Sequence, residues 1–149
     1  MVHDVFFMQQ AIIEAKKAYA VDEIPVGVVI VDNQGIVVAR AYNQVEQQGT
    51  QLAHAEILAL RQLATLQTNW RLEEYTIYVT LQPCVMCMGA LLLSRIKNIV
   101  YGASSPVYGV KLELFDIPQS YKSATKIYAG ICEKEISDLL KDFFIKQRQ

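Results

Sequence analysis

Histidine and cysteine are scarce in this chain, two and three respectively among 149 residues. Any chemistry that depends on imidazole or thiol therefore has few places to reside. An excess of charge of one sign is missing too: 14 Lys and Arg face 15 Asp and Glu, for a formal net charge of −1. That excludes a domain that binds nucleic acid through overall basicity, though not one with a local basic rim. No apolar run approaches the roughly 20 residues needed to span a bilayer. The opening MVHDVFFMQQ lacks the basic start of a signal peptide. The expectation is a cytoplasmic protein, where thiols stay reduced, and this weighs against a Cys84–Cys87 disulfide. With only four prolines and seven glycines the chain has no linker, repeat or low-complexity tract, so residues 1–149 read as one domain.

What is present is a hydrophobic half (52%) with clear periodicities. Val5 to Ala20 carries apolar side chains at helical spacing (Phe6, Met8, Ala11, Ile12, Ala15, Ala18, Tyr19), with Asp4 as a candidate N-cap. Pro25 to Val31 and Ile36 to Tyr42 read as strands joined at the Asp32–Gly35 turn. Asn43 to Leu52 is polar and loop-like, and Ala53 to Leu66 is a helix with Ile57, Leu60 and Leu63 on one side. Glu74 to Leu81 reads as a third strand. Cys84 to Leu93 is a short, almost wholly apolar helix expected to be buried. Asn98 to Gly102 is a fourth strand, Ala103 to Ser123 an irregular segment with room for a short helical turn, Ala124 to Ala129 a fifth strand, and Glu133 to Lys146 a last helix. The order α-β-β-α-β-α-β-β-α predicts an α/β fold: a five-stranded mixed sheet with helices on both faces.

The chemistry-bearing residues fall in two short stretches. His54, the only interior histidine, lies in Leu52-Ala-His-Ala-Glu-Ile57 at a helix start. Thirty residues on comes Pro83-Cys-Val-Met-Cys87, also at a helix start. One imidazole and two thiolates make the three-ligand set of a catalytic zinc site, which leaves a fourth position for water. Two residues three apart on a helix share a face, and a helix N-terminus favours the thiolate form. Pro83 suits such a start, where its missing N–H is not needed. Zinc lowers the pKa of water toward about 7; a carboxylate beside the metal but not bound to it can then shuttle protons. Glu56 fits that part, provided that the His-Ala-Glu unit occupies the irregular entry to its helix, because side chains two apart on a regular helix diverge.

Each piece has a plainer reading. A lone interior histidine is commonly a hydrogen-bonded core residue. A cytosolic Cys-x-x-Cys can be a redox pair. A structural zinc would want a fourth protein ligand. Cys132 is the only other cysteine and stands after Gly130, where packing or partial exposure is expected.

Taken together, His54-x-Glu56 and Pro83-Cys84-x-x-Cys87 match the signature of zinc-dependent deaminases. With IPVGVVIV, HAEILALR and TLQPCVMC added, the chain resembles the bacterial tRNA-specific adenosine deaminases, which convert the wobble adenosine of a tRNA anticodon to inosine. The resemblance runs through Ile24-Pro-Val-Gly27, Ala41-Tyr-Asn43, Asn69-Trp-Arg-Leu72 and Leu139 to Phe144. It implies a three-layer α-β-α cytidine-deaminase-like fold. It implies one Zn(2+) per subunit on His54, Cys84 and Cys87, with Glu56 as the catalytic proton carrier. Asn43, Val26, Ala55 and Pro83 would contact substrate, with Phe144, and Phe143 beside it, shaping the nucleotide site. The partners it implies are a tRNA anticodon loop and a second copy in a homodimer.

Departures stand beside the likeness. The family usually has Glu before Pro-Cys, where this chain has Gln82. Its GARD-x-K-x-G loop is here Gly102-Ala-Ser-Ser-Pro-Val-Tyr-Gly109, with Ser105 at the position of the Asp. Its basic tail is reduced to Lys146 and Arg148, leaving Lys97, Lys111, Lys122, Lys126 and Lys146 as rim candidates. A deaminase of a free nucleobase or nucleoside, of guanine, cytosine or adenine type, is the alternative that these departures favour.

Overall fold

A computed structural model describes residues 2–114 and 116–149, with Met1 and Phe115 outside that range. Phe115 falls within the segment expected to be irregular. A long helix α1 (Val2–Ala20) leads into strand β1 (Gly27–Val31) and its hairpin partner β2 (Val37–Tyr42). After a four-residue helix α2 (Val45–Gln48) and a 3-10 turn at Gln51–Ala53 come α3 (Ala55–Ala64), β3 (Thr76–Leu81) and α4 (Val85–Leu93). β4 (Asn98–Ala103), a 3-10 turn at Leu112–Leu114, α5 (Gln119–Ala124), β5 (Lys126–Tyr128) and α6 (Glu133–Gln147) complete the chain.

The strands lie in the order β2-β1-β3-β4-β5. β1 runs antiparallel to both β2 and β3, whereas β3, β4 and β5 are parallel. The sheet is thus five-stranded and mixed, as the sequence predicts. β1 is buried at all five positions, and side chains alternate between faces. Val28 and Ile30 join Ile77, Val79, Ile99 and the inner sides of α3 and α4 in one core. Val29 and Val31 join Tyr78, Val100, Met8, Ile12 and Ile136 in the other, under α1 and α6. Three layers result.

Some boundaries move. α1 includes Asp4 in its first turn, so Asp4 is not the N-cap; its carboxylate accepts from the Tyr78 hydroxyl at 2.7 Å. Phe7, not Phe6, turns inward, and Phe6 is exposed. α3 begins two residues later than expected and buries Ala55, Ala59 and Leu63, leaving Ile57 and Leu60 half-buried. α4 is buried only on the side of Cys87, Met88, Leu91 and Leu92; Val85 and Leu93 are exposed. No helix among the described residues is long and apolar enough to cross a membrane.

Candidate active site

The register places the chemistry at one end of the sheet. Gly27 at the start of β1 pairs with Tyr42 at the end of β2, and Leu81 at the end of β3 pairs with Ala103 at the end of β4. Val26, Asn43, Gln82 and the loop after β4 therefore emerge together, and the chain turns from there into α3 and α4. Crevices outside the carboxyl ends of strands are the usual ligand sites of α/β sheets.

His54 is the N-cap of α3, with extended backbone (φ −62°, ψ 144°), and Glu56 follows in its first turn. This is the irregular entry that the His-Ala-Glu spacing requires. Cys84 is likewise the N-cap of α4 (φ −73°, ψ 175°), while Cys87 lies inside the first turn, wholly buried. Pro83 consequently sits one residue before the cap rather than inside the helix. His54 Nδ1 is 3.6 Å from Cys84 Sγ and 3.4 Å from Cys87 Sγ. The three ligand atoms all lie within 4.8 Å of one another. On the other side of the ring, Nε2 meets Gln51 Oε1 at 3.1 Å. A carbonyl oxygen only accepts, so Nε2 carries a proton, and Nδ1 is the nitrogen aimed at the sulfurs. Such an outer partner fixes both tautomer and ring orientation for metal binding.

The electrostatics agree. The Cys84 thiol is pushed down to about 3, first by the Cys87 thiol that donates to it and then by His54. Cys87 is pushed up, by that same bond and by burial. His54 is raised, first by its bond to Cys84. Glu56, 4% exposed, is raised chiefly by burial. A soft, partly anionic N/S set with a free coordination side fits zinc. Cys132 lies elsewhere, at the N-terminus of α6, with its sulfur 3.6 Å from Gln9 Nε2.

A pocket of about 590 Å³ opens over these residues. Ile24, Val26, Leu81 and Met86 supply apolar walls, and Asn43, Gln51, Gln82, Ser105 and Tyr108 the polar ones. Ala55 and Glu56 lie at the lining beside His54 and Cys84. Asn43 is buried; its Nδ2 donates to Ile24 C=O at 3.2 Å, but its Oδ1 has no partner among the described residues. A buried acceptor left open in a pocket is costly unless a ligand satisfies it. Of the residues the sequence points to, Val26, Asn43, Ala55 and Glu56 are therefore brought together with the His54 and Cys84 ligands. Pro83 is buried behind the wall, its C=O accepting from Val110 N–H at 3.1 Å. Phe144 is not part of the lining: it is 43% exposed on α6 and packs edge-on to Phe143, which is itself buried against Tyr19. None of the five candidate lysines lines the pocket. Gln51 escapes sequence reasoning because nothing separates it from the other glutamines of its polar loop. Tyr108 could have been singled out as an aromatic in a long irregular segment, the kind that often carries function.

Comparison with known proteins adds to this geometry. Residues 1–103 match the cytidine and deoxycytidylate deaminase zinc-binding region. The tRNA-specific adenosine deaminase of Bacillus subtilis is 39% identical, over 100% of this chain and 93% of that protein. The Haemophilus influenzae protein of the same name is 41% identical, over 98% and 86%. A solved structure from work on A-to-I editing by tRNA:A34 deaminases at the wobble position of transfer RNA is 35% identical. It superposes with a TM-score of 0.81 over 90% of this chain and 98% of that one. The guanine deaminase of Nitrosomonas europaea, at 19% identity and a TM-score of 0.79, covering 92% and 82%, shares the fold alone. This chain belongs to the cytidine and deoxycytidylate deaminase family of zinc-binding proteins, in the branch of the tRNA-specific adenosine deaminases.

Proposed function

We propose that this protein hydrolyses the 6-amino group of the wobble adenosine in a tRNA anticodon loop, giving inosine and ammonia. The observation that carries this reading is the clustering of the His54, Cys84 and Cys87 donor atoms at a pocket that His54 and Cys84 line together with buried Glu56 and Asn43, whose Oδ1 is open. His54, Cys84 and Cys87 would hold one zinc ion per subunit. When bound there, the ion supplies the Lewis acidity that makes water a nucleophile near neutral pH.

The remaining work falls to the chain. Burial raises the Glu56 carboxyl, which suits a group that must both take and give a proton. Glu56 takes the proton of the attacking water, hands it to the adjacent ring nitrogen, and delivers a proton to the departing amine. Asn43 Oδ1 accepts a hydrogen bond from the nucleoside, and Val26 and Ala55 pack against it. The target base must be splayed out of its loop to enter.

The protein acts as a single deaminase domain in the cytoplasm and as a homodimer. The dimer reading is supported by α4, whose Val85 and Leu93 are 61% and 60% exposed on one side of the helix. The test is a paired assay with the zinc-loaded protein. An anticodon stem-loop with adenosine at the wobble position should gain inosine, while free guanine, cytosine and adenine release no ammonia. Ammonia from a free base, with the RNA untouched, would sink the tRNA reading and favour a nucleobase deaminase.

A further inference from the structure

Gln82 links the end of β3 to the Pro83-Cys84 turn, and its side chain is 6% exposed. Its two ends are both engaged with the loop after β4. Nε2 donates to Val110 C=O at 3.1 Å, and Oε1 accepts from Ser105 N–H at 3.0 Å. The neighbouring backbone adds two more ties: Gln82 N–H to Ala103 C=O at 2.9 Å, and Val110 N–H to Pro83 C=O at 3.1 Å. Segment 105–110 is thus pinned at its start and at its finish. Between those pins its other hydrogen bonds among the described residues are its own, such as Gly109 N–H to Ser105 C=O at 2.9 Å and Tyr108 N–H to Ser105 Oγ at 3.4 Å.

Gly109 records how close this approach is. A Cβ there would lie 2.2 Å from Gln82 Oε1, 2.4 Å from Cδ and 2.6 Å from Ser105 O. Its backbone is not left-handed, so proximity to the buried Gln82 amide and to the Ser105 backbone oxygen together leaves no room for a side chain. The loop matters because Ser105 and Tyr108 line the pocket, Tyr108 from a position 75% exposed to solvent.

We propose that Gln82 is a positioning residue for substrate binding, whose neutral amide holds segment 105–110 as one wall of the pocket. The chemistry requires a group with a donor at one end and an acceptor at the other. An ionised carboxylate of the same shape keeps the acceptor for Ser105 but opposes oxygen to oxygen at Val110. Gln82 and the Ser105 loop, both departures from the family pattern, are on this view one matched device. The kinetic part of the proposal rests on the tRNA reading above.

The test uses zinc-loaded, full-length wild type, Gln82→Ala and Gln82→Glu. Hydrogen exchange is followed along the chain, and kcat and KM are measured on the anticodon stem-loop. Both variants should exchange faster over 105–110 and keep wild-type protection in β3 and β4. KM should rise about tenfold, roughly one lost hydrogen bond, with kcat within about threefold. Gln82→Glu keeps the size of the side chain, so it serves if Gln82→Ala does not fold. Unchanged exchange over 105–110, or a fall in kcat at constant KM, overturns the proposal. If wild type ignores the RNA, the exchange experiment still decides the loop assignment while the tRNA reading fails separately.

Discussion

Helix α1 approaches β1 so closely that one methyl group cannot fit between them. A Cβ on Gly27 would lie 2.0 Å from Ala11 O, 2.3 Å from Ala15 N and 2.9 Å from Glu14 Cβ. Two of those atoms are helix backbone and cannot swing aside. Restoring ordinary contact near 3.5 Å in Gly27→Ala means moving α1 outward by about 1.5 Å. The helix seats Phe7, Met8 and Ile12 in the core, and each such side chain contributes about 1.5–3 kcal/mol when fully buried. A radial gap of even 0.5–1 Å forfeits roughly a quarter to a half of a contact's attraction. A loss of about 2 kcal/mol follows from the gap, and residual overpacking strain brings the total to about 3 kcal/mol. For a chain of this size that is a fall in Tm of about 10 °C. Differential scanning calorimetry on zinc-loaded wild type and variant measures it directly. A shift of under 2 °C would show that the helix slides to a new seat at little cost, and that the close approach is not a determinant of stability.

Other outcomes follow from the site. Glu56→Ala should keep its zinc, because the carboxylate is not a ligand, yet lose at least about 10²–10⁴ in rate; loss of metal by elemental analysis would contradict the role given to it. In protein stripped of zinc, iodoacetamide at pH 6 should label Cys84 first, since its thiol is pushed down to about 3 while Cys87 and Cys132 are pushed up. Restoring zinc should block that labelling, and mass spectrometry showing Cys132 modified first would refute it. Tyr78→Phe removes the hydrogen bond to Asp4 and should cost about 1–2 kcal/mol in urea titration at pH 7. The Tyr78 hydroxyl is raised above its ordinary 10, first by burial and then by Asp4. Its protonated form is the stabilised one, so the wild-type advantage should be full below pH 10 and fade as pH rises beyond it.

The strands, the mixed sheet and the clustering of His54, Cys84 and Cys87 are legible because each is carried by local pattern. Val28 to Val31 is uninterrupted β-branched sequence, and His54, Glu56, Cys84 and Cys87 stand at spacings tied to helix starts. The pocket wall is less legible, because it is assembled by register: Asn43 and Gln82 meet only once β2, β1 and β3 are paired. Periodicity does favour Phe7 over Phe6, since at about 100° per residue Phe6 falls about 160° from Met8, on the far side of the helix, and Phe7 about 100° from it; placing Phe6 on the apolar stripe overlooked that difference. The apolar composition of α4 hid its two-sidedness, because a helix can be hydrophobic all round and still lack neighbours on one side. The position of Phe144 went unread for a related reason. On α6 it is adjacent to buried Phe143, and a pair of aromatics does not announce which one is inside.

The two helices that carry His54, Cys84 and Cys87 begin without conventional caps. His54 and Cys84 occupy the N-cap positions of α3 and α4, and neither makes the side-chain cap hydrogen bond of a serine or aspartate, although the Cys84 sulfur accepts from Cys87 in its own first turn. Serine, aspartate or asparagine at such a position ordinarily adds about 0.5–2 kcal/mol. The fold forgoes that at both sites, and the first helix N–H groups turn their partial positive charge toward the Cys84 sulfur and the Glu56 carboxylate instead. Stability surrendered at two helix starts is here converted into electrostatic preorganisation. A selection for thermal robustness alone would erode the enzyme first at these two residues.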